Sequence, residues 1–198
     1  MKNHIKRSAL MLICFGGILT TGHAQAAYTV KATTDIDVKL RGTSTLHDWE
    51  MNAIHTSGEA DFVFKTAADK ELVAIKNLSF TIQVKDLKSD NDGLNKNAYE
   101  ALKADKHKEI CYLLTSSTLT PENGGYLIKS TGKLTIAGVS KVIYMDVHCV
   151  LNKNGTVTYR GSYKLKMTDY NVKPPSFMWG AMTTGDAMSL DFVVVYEK

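Results

Sequence analysis

Apolar and polar residues alternate one by one along most of this chain, and a period of two is the mark of β-strands that turn one face to a core and the other to water. In "TVTYRGSYKLKM" the set Val157, Tyr159, Gly161, Tyr163, Leu165 and Met167 alternates with Thr156, Thr158, Arg160, Ser162, Lys164 and Lys166. The same holds for Tyr126, Ile128, Leu134 and Ile136 against Lys129, Thr131 and Lys133, for Leu78, Phe80, Ile82 and Val84, and for Ile36, Val38 and Leu40. Half-buried strands of this kind pair antiparallel.

Turn chemistry falls between the runs. "NKNGT" at 152–156 carries the Asn-Gly pair that favours a tight hairpin, and "PENGGY" at 121–126 does similar work, so consecutive strands are expected to pair as a meander. The three prolines, at 121, 174 and 175, stand outside every alternating run. One stretch breaks the pattern: Leu94, Ala98, Ala101 and Leu102 have helical spacing, which predicts one short helix over about 94–104 with Asp92 or Asn95 as its N-cap. Roughly nine or ten strands and a single helix leave two economical solutions, a sandwich or a barrel, and periodicity does not choose between them or between a filled and a hollow interior.

The N-terminus has the organisation of an export signal: basic "MKNHIKRS", an apolar run "ALMLICFGGILT", then "AQA", with cleavage expected after Ala26. The apolar run is shorter than the roughly 20 residues of a membrane span. The expected organisation is therefore a leader over 1–26 and one domain over 27–198, exported to the periplasm and not inserted in a membrane. Lys2, Lys6 and Arg7 leave with the leader, so 24 − 3 = 21 basic residues face 20 acidic ones, and no net charge argues for nucleic acid as partner. Cys111 and Cys149 remain; in an oxidising compartment a bridge between them is open, as is burial of each as a small hydrophobe.

"GTSTLHDWE", Gly42 to Glu50, sets His47 beside Asp48 and Trp49. On a strand, neighbours point to opposite faces and cannot form a dyad; in a turn, an aspartate serves the backbone. The favoured reading is scaffolding, with Trp49 packed and His47 and Asp48 at a strand crossing, and no catalytic residue is assigned. No nucleophile elbow or phosphate loop occurs. His47, His55, His107 and His148 stand singly without metal-ligand spacing, so neither metal nor cofactor is expected. Lys88, Lys96 or Lys103 near a barrel mouth could meet a phosphate, with solvated lysines as the plainer alternative. Met145, Met167, Met178, Met182 and Met188 gather in the C-terminal third, where methionine suits either core filling or a wall against a flexible apolar ligand.

Four segments in order resemble the YceI-like family: "GTSTLHDWE", "LSFTIQVKDLKSDNDGLNKNAYEALKADKHKEICYLL", "YLIKSTGKLTIAGVSKVIYMDV" and "KMTDYNVKPPSFMWGAMTTGDAMSLDFVVV". The resemblance implies an all-β, mainly antiparallel, lipocalin-like β-barrel with one short α-helix. It further implies a hollow interior that binds an isoprenoid lipid, of the isoprenoid quinone or prenyl pyrophosphate type, for transport or storage. On that implication the alternation names an apolar lining: Phe62, Phe64, Phe80, Ile82, Leu113, Leu134, Ile136, Met145, Val147, Tyr163 and Leu165, with Leu102 of the helix and Met182 near an opening. The rival expectation is an exported interaction or stress-response domain with a packed barrel. Whether the protein is a homodimer is left open.

Overall fold

The computed structural model describes residues 24–31, 37–66 and 71–198. Its strands are β1 (Ala24–Val30), β2 (Asp37–Ser44), β3 (Trp49–Ala53), β4 (Thr56–Ser57), β5 (Glu59–Phe64), β6 (Leu72–Lys76), β7 (Ser79–Gln83), β8 (Leu87–Lys88), β9 (Glu109–Glu122), β10 (Gly125–Ile136), β11 (Val139–Leu151), β12 (Val157–Lys166), β13 (Ser176–Phe177) and β14 (Met182–Glu197). Among the described residues one α-helix, α1 (Asp92–Ala101), stands between β8 and β9. The leader expected over 1–26 lies outside the described residues as far as residue 23; Ala24, Gln25 and Ala26 pair with Phe64, Val63 and Phe62. Ile36 also lies outside them.

The pairing resolves these segments into eight staves of a closed, all-antiparallel barrel. The first stave is β1 with β2, the second β3, β4 and β5 in line, and the third β6, β7 and β8. The long strands β9, β10, β11, β12 and β14 are the other five. Stave two pairs with stave one through β5–β1 and β3–β2, and with stave three through β5–β6, β4–β7 and β3–β8. From β7 the ladder runs through β9, β10, β11 and β12 to β14. Both β1 and β2 pair with β14, so the first stave meets the last and the ring closes. Each stave neighbours the next in sequence, the meander that the turn residues predicted, and closure removes the open edges a sheet would otherwise expose. The expected nine or ten strands become fourteen among the described residues, in part because breaks near residues 54–55, 58, 77–78 and 84–86 divide staves that alternation alone reads as whole.

The floor of the barrel is solid. Phe62 is fully buried, edge-on to Tyr28 (4.9 Å between ring centres, 77°) and to Tyr196 (6.0 Å, 86°), and stacked on Tyr159 (5.9 Å, 23°). At the other end α1 lies by the opening. Its N-cap is Asn91, whose Oδ1 accepts from Leu94 N at 3.1 Å, which corrects the expected Asp92 or Asn95. Asn95 is instead buried and locks the segment before the helix: its Oδ1 accepts from Ser89 N (2.8 Å) and Ser89 Oγ (2.9 Å), and its Nδ2 donates to Ser89 O (3.1 Å). The Tyr99 hydroxyl, shared between the carbonyls of Lys85 (3.0 Å) and Leu87 (2.8 Å), ties the helix to the third stave.

Both cysteines are free. Cys111 pairs with Thr135, Thr135 with Ser140, and Cys149 lies nine residues further along β11. At about 3.4 Å per residue that is roughly 30 Å, far beyond the reach of a disulfide. Burial pushes the Cys149 thiol up to about 12.

Candidate functional site

Two cavities follow one another along the barrel axis. The outer one, about 790 Å³, is a cleft at the open end, formed by the β2–β3 turn, α1 and the segments before and after β13. Leu40, Met51, Leu87, Leu94, Ala98, Leu102, Ile136, Leu165, Met167, Met182 and Met188 supply its apolar surface. The inner one is a chamber of about 100 Å³ among Val38, Phe80, Ile82, Tyr112, Leu134, Met145, Val147, Tyr159, Tyr163, Leu190 and other inward side chains. The alternation of the strands makes them continuous. On β2 the wall passes from Val38 in the chamber to Leu40 in the cleft, on β10 from Leu134 to Ile136, on β12 from Tyr163 to Leu165, and on β14 from Leu190 to Met188. Each step is two residues, about 6–7 Å, on the same face of the strand. The barrel is thus filled at its floor, narrow in the middle and open above.

The expected lining residues divide among these levels. Phe80, Ile82, Leu134, Met145, Val147 and Tyr163 face the chamber, and Leu102, Ile136, Leu165 and Met182 the cleft. Phe62 belongs to the packed floor and Phe64 packs against the core at its edge, so neither borders a cavity. Leu113 is a correction: it is 46% exposed on the outer face, while Ile110, Tyr112 and Leu114 point inward. Residues 110–114 are apolar on both parities, so periodicity left the strand's inward face undetermined. Sequence reasoning missed Tyr112 and Tyr159 as chamber walls; Tyr159 stood in the inward set of its strand and carried the signal.

The motif around His47 has a structural explanation. Gly42 pairs with Trp49 across β2 and β3, and a Cβ at Gly42 would come within 2.3 Å of the indole ring, so only glycine lets the ring lie there. The indole Nε1 donates to Thr43 O at 3.1 Å. Ser44 closes the turn: its Oγ donates to His47 O (2.7 Å) and accepts from the amides of Leu46 and His47 (both 3.3 Å). Thr45 Oγ1 accepts from Thr183 N at 3.1 Å, tying the turn to the start of β14. The serine thus serves the turn in the role expected of Asp48, and His47 and Asp48 stand on the cleft rim.

The charge of the opening is one-sided. Asp48, Glu50 and Asp90 border the cleft, and among the described residues no lysine or arginine does. Arg41 alternates outward from Leu40 and is held by Glu50 (Nε to Oε2, 2.8 Å) and Asp191 (Nη1 to Oδ2, 2.6 Å). Lys88, Lys96 and Lys103, which the sequence offered for a phosphate, are outside the cleft wall. Lys88 sits 5.3 Å from the centre of the Tyr99 ring, and Lys96 lies 4.0 Å from Glu100. Among the described residues no three His, Cys, Asp or Glu side chains gather to hold a metal ion, and no helix is long and apolar enough to cross a membrane.

Comparison with known proteins matches residues 19–196 to the model of the YceI-like domain. Among solved structures, the chain is similar to BcnA of Burkholderia cenocepacia (TM-score 0.63, 19% identity, covering 84% of this chain and 98% of that one). It is also similar to a polyisoprenoid binding domain from Saccharophagus degradans implicated in plant cell wall breakdown (TM-score 0.64, 14% identity, 86% and 97%). A third is the YCEI protein of Campylobacter jejuni (TM-score 0.55, 24% identity, 75% and 84%). No curated protein matches the chain.

Proposed function

The chain belongs to the YceI-like family, and from that premise we propose that its barrel holds an isoprenoid lipid, shielding the chain from water for transport or storage without covalent chemistry. The observation that carries this reading is the unbroken apolar wall passing from cleft to chamber on four strands. The similar domain from Saccharophagus degradans, described as polyisoprenoid binding, supports it. A cleft of about 790 Å³ falls within the roughly 300–1,000 Å³ range of small-molecule sites.

Each buried methylene contributes about 0.8 kcal/mol, so a five-carbon prenyl unit contributes about 4 kcal/mol. Three such units approach the ~12 kcal/mol of a nanomolar complex before the entropy of association is subtracted. The polar end needs few contacts. With carboxylates and, among the described residues, no lysine or arginine on the wall of the cleft that the lipid must pass, an uncharged lipid of the quinone type suits the site better than a pyrophosphate. No cofactor beyond the lipid is required. Export to the periplasm, with removal of the leader after Ala26, completes the proposal.

Native mass spectrometry of the protein purified without detergent from the periplasm, followed by organic extraction, tests it. A stoichiometric prenyl lipid is expected. Ile136→Asp on the cleft wall should abolish retention and Lys133→Ala on the outer face should not. A bare polypeptide mass that persists after incubation with prenyl lipids, or equal retention by the two variants, refutes it.

A further inference from the structure

Two of the hydroxyls that line this largely apolar chamber make no hydrogen bond. Tyr112 and Tyr159 are 9% and 6% exposed and both line the chamber; Ser130 stands beside the first hydroxyl and Cys149 beside the second, but neither Oη has a partner in hydrogen-bond geometry. Other polar groups nearby are satisfied: Tyr196 Oη donates to Ser79 O at 3.0 Å, and Ser130 Oγ donates to Met145 O at 3.0 Å. Buried hydroxyls are nearly always bonded, so two orphans facing one cavity mark a place where a partner is missing.

Both rings are fixed. Tyr112 lies over Gly132, where a Cβ would come within 2.4 Å of its ring and hydroxyl, and Tyr159 is held between Phe62 and Tyr196 (5.9 and 5.7 Å between ring centres). Burial, the leading cause at both, holds the two phenols above their ordinary range, so they remain protonated donors. The partner must therefore accept. It must also be uncharged, since no lysine or arginine lines the chamber to balance an anion. Carbonyl, ether and hydroxyl oxygens meet both conditions. At about 100 Å³ the space is smaller than the roughly 150 Å³ cavity that admits benzene, so the oxygen sits on a slim terminus, or Met145, an adaptable wall, gives way to a ring.

We propose that Tyr112 and Tyr159 form a donor pair that binds an uncharged oxygen at the inner end of the lipid, so that the cargo is oxygenated at the end that enters first. This rests on the lipid-holding reading above and adds the chemistry of the buried terminus. The competing occupant is an internal water, which satisfies the hydroxyls without selecting a ligand.

The test compares farnesylacetone, a prenyl chain ending in a methyl ketone, with the hydrocarbon in which its carbonyl is replaced by a methylene, equal in carbon number and unsaturation, by displacement of N-phenyl-1-naphthylamine. The wild-type protein should bind the ketone at least tenfold more tightly. The double variant Tyr112→Phe, Tyr159→Phe should lose that preference and bind the two probes equally. As a second readout, the ketone carbonyl stretch should shift to lower frequency in the wild-type complex, a measurement that does not depend on the variant folding. Equal affinity of the wild type for both probes, survival of the preference in the double variant, or an unshifted carbonyl band overturns the proposal. Failure of both probes to bind overturns the lipid-holding reading itself, and this inference with it.

Discussion

Replacing Phe62 by alanine tests the division of the barrel into a solid floor and a hollow upper part. The ring is fully buried and makes three aromatic contacts, to Tyr28, Tyr159 and Tyr196. Phe→Ala in a core costs about 3–5 kcal/mol through lost burial and the cavity left behind. Aromatic pairs add about 0.5–1.5 kcal/mol each beyond area, which places this site at the upper end, about 4–5 kcal/mol. For a domain of this size one kcal/mol moves Tm by about 2–4 °C, so a fall of about 8–20 °C is expected. Urea unfolding of lipid-free protein, followed by tryptophan fluorescence and far-ultraviolet circular dichroism, measures the loss as a lower midpoint at unchanged slope. Because Phe62 borders neither cavity, the folded variant should still retain lipid, with any weakening confined to the oxygen contact of Tyr159, whose ring stacks on Phe62. A loss below about 1.5 kcal/mol would show that the floor collapses around the gap. Loss of lipid retention in a folded variant would show that Phe62 is part of the site, and either result refutes the division.

Three further outcomes are expected. Asn91→Ala removes the side-chain cap of α1 and should cost about 1 kcal/mol, read as faster amide exchange in the helix and faster lipid release from the cleft it borders. Asp48→Asn with Asp90→Asn should raise affinity for farnesyl diphosphate at low salt and leave farnesol binding unchanged. That gain should vanish near 1 M salt, where screening acts within about 3 Å. Cys149, with its folded value raised from 9.0 to about 12 by burial, favours the protonated thiol in the folded state. Its contribution to stability is therefore complete below pH 9 and is lost as pH rises toward 12, and a Cys149→Ala variant should show a shallower decline of unfolding free energy across that window.

The sequence by itself determined the long strands, most of their wet and dry faces, the order in which they pair and the position of the one helix among the described residues, because each of these is written in local periodicity or turn chemistry. On β10 and β12 the alternation named the inward residues correctly, from Leu134 and Ile136 to Tyr163 and Leu165. It went astray at Leu113, where both faces of the strand are apolar, and at Phe62, where facing inward did not mean facing a cavity. The tertiary structure alone decided those matters. Which level of the barrel is filled depends on how side chains from distant strands meet: Tyr28, Phe62, Tyr159 and Tyr196 close the floor from β1, β5, β12 and β14. The orphaned hydroxyls and a cleft wall that carries carboxylates but no lysine or arginine among the described residues are likewise properties of an assembled ring. A period of two fixes which way a side chain points, and only closure of the sheet fixes what it meets.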